Sequence, residues 1–176
     1  MAEAEAVTQR TEGFAVGYAA GKGLFRVYIM GSVAALFFAV FAMGGGVATL
    51  VFAVLAASTA YYFFPLTETR KPRLGANQYG IFIDGFGVIA WRAIEDVSIR
   101  AHALRSIEIK ELQIRLSQPL SRALTSDWRK LSYYRLLMRL PWSMTPEGVI
   151  RINMEPFAGT PDEILSAINR IWKRYG

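Results

Sequence analysis

The chain has 176 residues, 53% of them hydrophobic, with 20 Lys and Arg against 14 Asp and Glu, a single His and no Cys. The absent cysteine excludes a disulfide framework and a thiolate metal site, and it fits a reducing compartment. The length suits one modest domain plus a small extra element, and the hydrophobic share exceeds that of an ordinary soluble domain.

Residues 1–23 lead into the apolar part of the chain. Glu3, Glu5 and Glu12 deny this stretch a positive n-region, so no cleaved signal peptide is expected. Gly13, Gly17 and Gly21 recur every four residues and are read as part of a flexible cytoplasmic tail rather than a helix-contact face. The segment Gly17–Gly23 has a superficial likeness to a phosphate loop. It is rejected, because its spacing is short and no Ser or Thr follows Lys22.

From Val27 to Thr67 there is no charged residue, a run of 41. A bilayer core takes about 20 helical residues, so this run is too long for one span and right for two. Gly44, Gly45 and Gly46 break it at its midpoint, since each costs a helix about 1 kcal/mol against Ala. The expectation is a transmembrane hairpin with helices over 24–43 and 47–64. The competing reading is a buried helical hairpin in a soluble protein. Lys22 and Arg26 lie at the start of the first helix and Arg70, Lys71 and Arg73 follow the second, while the glycine tip is uncharged. By the positive-inside rule both termini are expected to be cytoplasmic. Tyr28, Tyr61 and Tyr62 suit the interfacial belt. Gly31, Ala35 and Ala39 on the first helix, and Ala53, Ala56, Ala57 and Ala60 on the second, have small-residue spacing for close packing. Beyond Arg26 at its start, neither span carries an Asp, Glu, Lys, Arg or His, which argues against a pump or transporter and for an anchor.

Residues 67–176 read as a cytoplasmic domain. Gly80–Asp84 and Val88–Trp91 alternate around a Gly85-Phe86-Gly87 turn, a hairpin signal. Further strands are expected at 97–101, 107–116 and 149–154, with a bulge or tight turn where Lys110-Glu111 breaks the alternation. Between the last two lies an insertion over 118–146, where Ser126 caps an expected helix from Asp127 to about Leu140, ended by Pro141. The C-terminal helix is well punctuated: Thr160 at the cap, Pro161 at the first position and Glu163 completing a capping box. Ile164, Leu165, Ile168, Ile171 and Trp172 mark its apolar face.

The segment Ile89–Val97, I-x-W-x-x-I-x-x-V, resembles bacterial pleckstrin-homology-like domains. Preceded by two apolar helices and followed by a Leu/Arg-rich insertion, the I-x-I-N of Ile150–Asn153 and the P-x-E-I of Pro161–Ile164, it resembles the STM3941-like family of small bacterial membrane proteins. The resemblance runs from about residue 24 onward and rests on the order of the motifs. It implies an α+β membrane protein: a transmembrane helical hairpin plus an antiparallel pleckstrin-homology-like barrel or sandwich capped by the C-terminal helix. It implies no activity.

Chemistry-bearing patterns are sparse. His102 has Arg100 and Arg105 nearby and no carboxylate partner in the local sequence. Glu95 and Asp96 are adjacent, so on a strand they point to opposite faces and make no acid–base pair. No catalytic residue, cofactor or metal ligand is assigned. The basic balance says more: residues 67–176 hold 17 Lys and Arg against 11 Asp and Glu. Within the insertion Arg122, Arg129, Lys130, Arg135 and Arg139 outnumber Asp127, with Trp128, Tyr133 and Tyr134 interleaved. Beside an anionic leaflet each base contributes about 1 kcal/mol. Two readings stay open: this insertion meets lipid headgroups or a partner, or its arginines are simply solvated. Nucleic acid is set aside for want of a recognition motif. The expected function is a non-enzymatic membrane-tethered binding module, engaging a protein segment or anionic headgroups. The alternative is a structural accessory subunit of a larger membrane complex, with a membrane-protein partner or a second copy of the chain.

Overall fold

The computed structural model describes residues 13–104, 107–125 and 133–176. Two helices, α1 (Leu24–Ala42) and α2 (Val47–Phe63), are long and apolar enough to cross a membrane. They pack on each other as a hairpin, with the Phe37 and Phe52 rings 5.4 Å apart. At the tip Gly44 takes a φ of +96°, which an L side chain resists. The hairpin is not buried in this chain's core: α1 buries no residue and α2 buries only Ala53 and Ala56. Phe25, Leu36, Phe38, Val47 and Leu55 stand exposed, an apolar surface of a kind that marks a membrane or partner contact.

The hairpin is an insertion within a sheet. Strand β1 (Phe14–Val16), just before it, pairs antiparallel with β2 (Leu74–Asn77), just after it. Phe14, Val16 and Tyr18 are buried on one side while Ala15 faces out. The expected free tail therefore gives way to a structured strand over this part. The alternation of Phe14, Val16 and Tyr18 is the local reason, and it was too short to signal a strand. A four-stranded antiparallel sheet continues from β2 to β3 (Gly80–Ile83) and β4 (Gly87–Ala90).

The second four-stranded sheet runs β5 (Ile94–Leu104), β6 (Ile107–Leu116), β8 (Val149–Asn153), β7 (Trp142–Met144) in spatial order. Leu112 and Ile114 of β6 and Ile150 and Ile152 of β8 alternate with outward polar residues, as a sheet with one covered face requires. The helix α5 (Pro161–Tyr175) buries Ile164, Ile168 and Ile171 in the same core. Each such side chain contributes about 1.5–3 kcal/mol of burial. Its capping box forms: Thr160 Oγ1 accepts from the Glu163 N–H at 3.3 Å and Glu163 Oε2 from the Thr160 N–H at 2.9 Å.

Two expectations need correction. The β5–β6 ladder runs unbroken past Lys110 and Glu111, and its irregularity lies at Ile94/Asp96 instead. Strand β8 pairs only with Glu111–Arg115, so residues before Glu111 leave the three-stranded zone and need not alternate. The insertion helix, where described, is only α4 (Tyr133–Leu136), and 137–140 are irregular. The Arg139 N–H there donates to the Tyr62 carbonyl at 2.8 Å instead of closing a helical turn. Residues 126–132, including the expected cap at Ser126, lie outside the described residues.

Candidate membrane-surface site

Helix α2 ends because Pro65 tightens the chain into a 3₁₀ turn over Phe64–Thr67. Pro65 and Leu66 are buried there. Gly23, at the foot of α1, abuts this turn so closely that a Cβ would lie 2.2 Å from the Leu66 Cβ. Gly17 is likewise hemmed in, a Cβ on it coming within 2.8 Å of the Thr69 and Lys71 carbonyls. The two helices thus leave the domain through one tightly packed point.

Arg73, at the start of β2, is only 2% exposed. Its guanidinium donates to Asp84 in the β3–β4 turn, to Glu68 at 2.5 Å and to the Pro65 carbonyl at 3.2 Å. Asp84 also accepts from Arg135 of α4. Burial opposes the charge on Arg73, and the Asp84 and Glu68 carboxylates outweigh it, so its pKa rises further. Burial also opposes ionisation of Glu68, yet hydrogen bonds from Lys71 and Arg73 together hold its carboxyl below the usual range. Tyr18 lies 5.4 Å from the Arg73 guanidinium, ring to cation, and burial pushes its phenol up to about 12. One ionic hub therefore joins the end of α2, the first sheet and the insertion.

The insertion is also held directly on α2. The Tyr61 hydroxyl donates to the Tyr134 carbonyl at 2.6 Å. Arg139 and Arg26 both stack on the Phe63 ring, at 5.6 and 5.5 Å from its centroid. What this docking leaves outward is apolar and aromatic: Tyr133 is 88% exposed, Tyr134 64% and Leu137 70%. Tyr61 and Tyr62, at the same end of α2, are exposed beside them. Such rings suit the headgroup level of a bilayer.

The remaining sequence-derived residues divide as follows. Arg122 is exposed on a separate short helix, α3 (Leu120–Ala123), which packs on the 3₁₀ turn Trp91–Ala93. Trp128, Arg129 and Lys130 lie outside the described residues. Of the charges flanking the hairpin, Arg70 is exposed, Lys71 pairs with Glu68 at 2.5 Å and Lys22 donates to the Glu155 carbonyl at 2.5 Å. Arg73, read as an orientation-setting cation, is buried, and Arg135, read as a lipid or partner contact, is half-buried; both pair with Asp84. On the hairpin, Ala53 and Ala56 are buried and Ala60 is half-buried, whereas Ala35, Ala39 and Ala57 are exposed and a Cβ on Gly31 would meet open space. The seam on α1 instead follows Val27, Met30, Ala34, Phe37 and Phe41, a helical face offset from the small-residue spacing. Residues the sequence did not single out are Asp84, Glu68 and Tyr18.

His102 does find a carboxylate: its Nε2 lies 3.7 Å from Glu111 Oε2 on β6, at a half-exposed position. Among the described residues no three His, Asp or Glu converge as a metal set would. No family model, curated protein or solved structure matches the chain.

Proposed function

We propose that the protein is a non-enzymatic, membrane-tethered binding module. The hairpin α1–α2 spans a bacterial inner membrane with both chain ends in the cytoplasm. A pleckstrin-homology-like domain, as the family resemblance suggests, rides on the inner leaflet and engages anionic headgroups. The observation that carries this reading is the docking of the insertion on the end of α2, with Tyr133, Tyr134 and Leu137 turned outward next to Tyr61 and Tyr62. Rings and aliphatic groups at that height partition into the interface, and nearby arginines add attraction to anionic lipid. Of the two ligands open from the sequence, headgroups are favoured because the exposed patch continues the surface of a candidate spanning helix.

Arg129, Lys130 and Arg139 changed together to Gln, in the full-length protein, test the headgroup contact. Native mass spectrometry from mixed-lipid nanodiscs should give less retained anionic lipid than wild type. Equal retention rejects it.

The accessory-subunit reading keeps one observation of its own. Gly31, Ala35 and Ala39 form an open strip on α1 that another helix could approach closely. Extraction in mild detergent as a stoichiometric complex with a second membrane protein would favour it over the tethered module.

A further inference from the structure

Four strands form the edges of the two sheets, and three of them are short: β1 and β7 have three residues each and β4 has four. The β4 edge is further covered, since Leu124 bridges Ile89 and the Thr125 N–H donates to the Val88 carbonyl at 2.9 Å. Short or covered edges are how sheets avoid pairing with other chains. The fourth edge departs from this. Strand β5 has 11 residues, contains no Pro and pairs with β6 alone among the described residues. Among the described residues, no backbone partner pairs with its outer N–H and C=O groups. Beside it, a groove of about 520 Å³ separates β5 from the last turns of α5, lined by Asp96, Val97, Asn169, Trp172 and Lys173. The groove opens at the start of this edge, by Asp96 and Val97.

The side chains along this edge say which strand fits. Asp96 and Arg100 are exposed, share the outward face with Ser98, and form no ion pair among the described residues. A two-fold pairing of β5 with itself that keeps both buried faces on the same side must set one residue opposite its own copy. With Ser98 opposite Ser98, Asp96 of each copy meets Arg100 of the other, twice by symmetry, and Val97 meets Ile99. A shift of two residues in one direction sets Asp96 against Asp96, and in the other Arg100 against Arg100. Like charges directly opposite destabilise a strand pair and opposite charges support it. Centring on Val97 or Ile99 sets Asp96 or Arg100 opposite Ser98 and forfeits the ion pairs.

We propose that the outer edge of β5 is a self-association surface, joining two copies of this chain antiparallel about Ser98 into one continuous eight-stranded sheet. This surface lies apart from the lipid-facing insertion, and its test does not depend on that reading.

The chain has no cysteine, so single-site crosslinking has no background. Ser98→Cys in the full-length protein, in native membranes, would be treated with a short bifunctional thiol linker. Directly opposed positions across an antiparallel pair bring their Cβ atoms within about 4.5–5.5 Å. The expected result is a dimer band several-fold stronger than from Gln113→Cys, which lies one strand inward on β6. Adding Asp96→Arg or Arg100→Asp alone should weaken the band several-fold. Adding both should restore it, which a merely misfolded variant would not do. Equal bands from Ser98→Cys and Gln113→Cys, or a double swap as weak as the single changes, would overturn the proposal.

Discussion

Arg73 is the residue on which the junction turns. A buried guanidinium is costly unless its charge is met, and here Asp84 and Glu68 meet it. Asp84→Asn leaves both Arg73 and Arg135 without their shared carboxylate. It is expected to cost about 3–5 kcal/mol in thermal or denaturant unfolding, and to make the 133–139 stretch more sensitive to protease. Tyr18 gives the hub a signature at high pH. Its phenol titrates near 12 rather than near the ordinary 10, so the neutral ring favours the folded state. That contribution is whole below about pH 10 and is lost as pH rises through about 12. A phenolate-absorbance difference between wild type and Tyr18→Phe should show this late step, and a step near 10 would contradict the burial. In the sequence, Arg73 looked like its neighbours Arg70 and Lys71, a third flanking cation. What separates it are Asp84, 11 positions on, and Arg135, which reaches Asp84 from 51 positions further along. No local pattern records contacts of that range.

Elements were legible where their cause was local. The C-terminal helix carries its own cap, proline and apolar face, and it starts at Pro161 as the capping box requires. The hairpin strands around Gly85 follow from alternation and a turn glycine. The short strands were not legible: Leu74–Asn77 is a strand because Leu74 and Ala76 face the core and pair with both β1 and β3, not because Gly and Asn favour one. The hairpin helices were clear from hydropathy, while their seam was not, since small residues occur on more than one face. Two glycines make this testable. Gly23→Val must push against Leu66 and is expected to destabilise the protein by about 1–3 kcal/mol, as overpacking does. Gly31→Val meets open space on a half-buried face and should leave the melting midpoint nearly unchanged. Comparable losses from both would mean that the helices do not leave the domain through the packed point at Gly23.

At the scale of the whole molecule, the two apolar helices are inserted between neighbouring strands and are not hung from one end of a domain. Strands β1 and β2 hold the two feet of the hairpin side by side, and the insertion grips α2 from the other side of the chain. Three attachments leave the domain little freedom to swing away on a linker. The order of apolar run, sheet and C-terminal helix could be read from the sequence. The attachment could not, because it depends on residues 14–16 returning to a sheet built some 60 positions later. Under the proposed function, this arrangement holds Tyr133 against the bilayer. A nitroxide at Tyr133→Cys in nanodiscs tests it most directly, with a label at the exposed Ser166 of α5 for comparison. The label at 133 is expected to be open to oxygen and shielded from a water-soluble nickel chelate, relative to 166. Equal access of the chelate to both sites would contradict it.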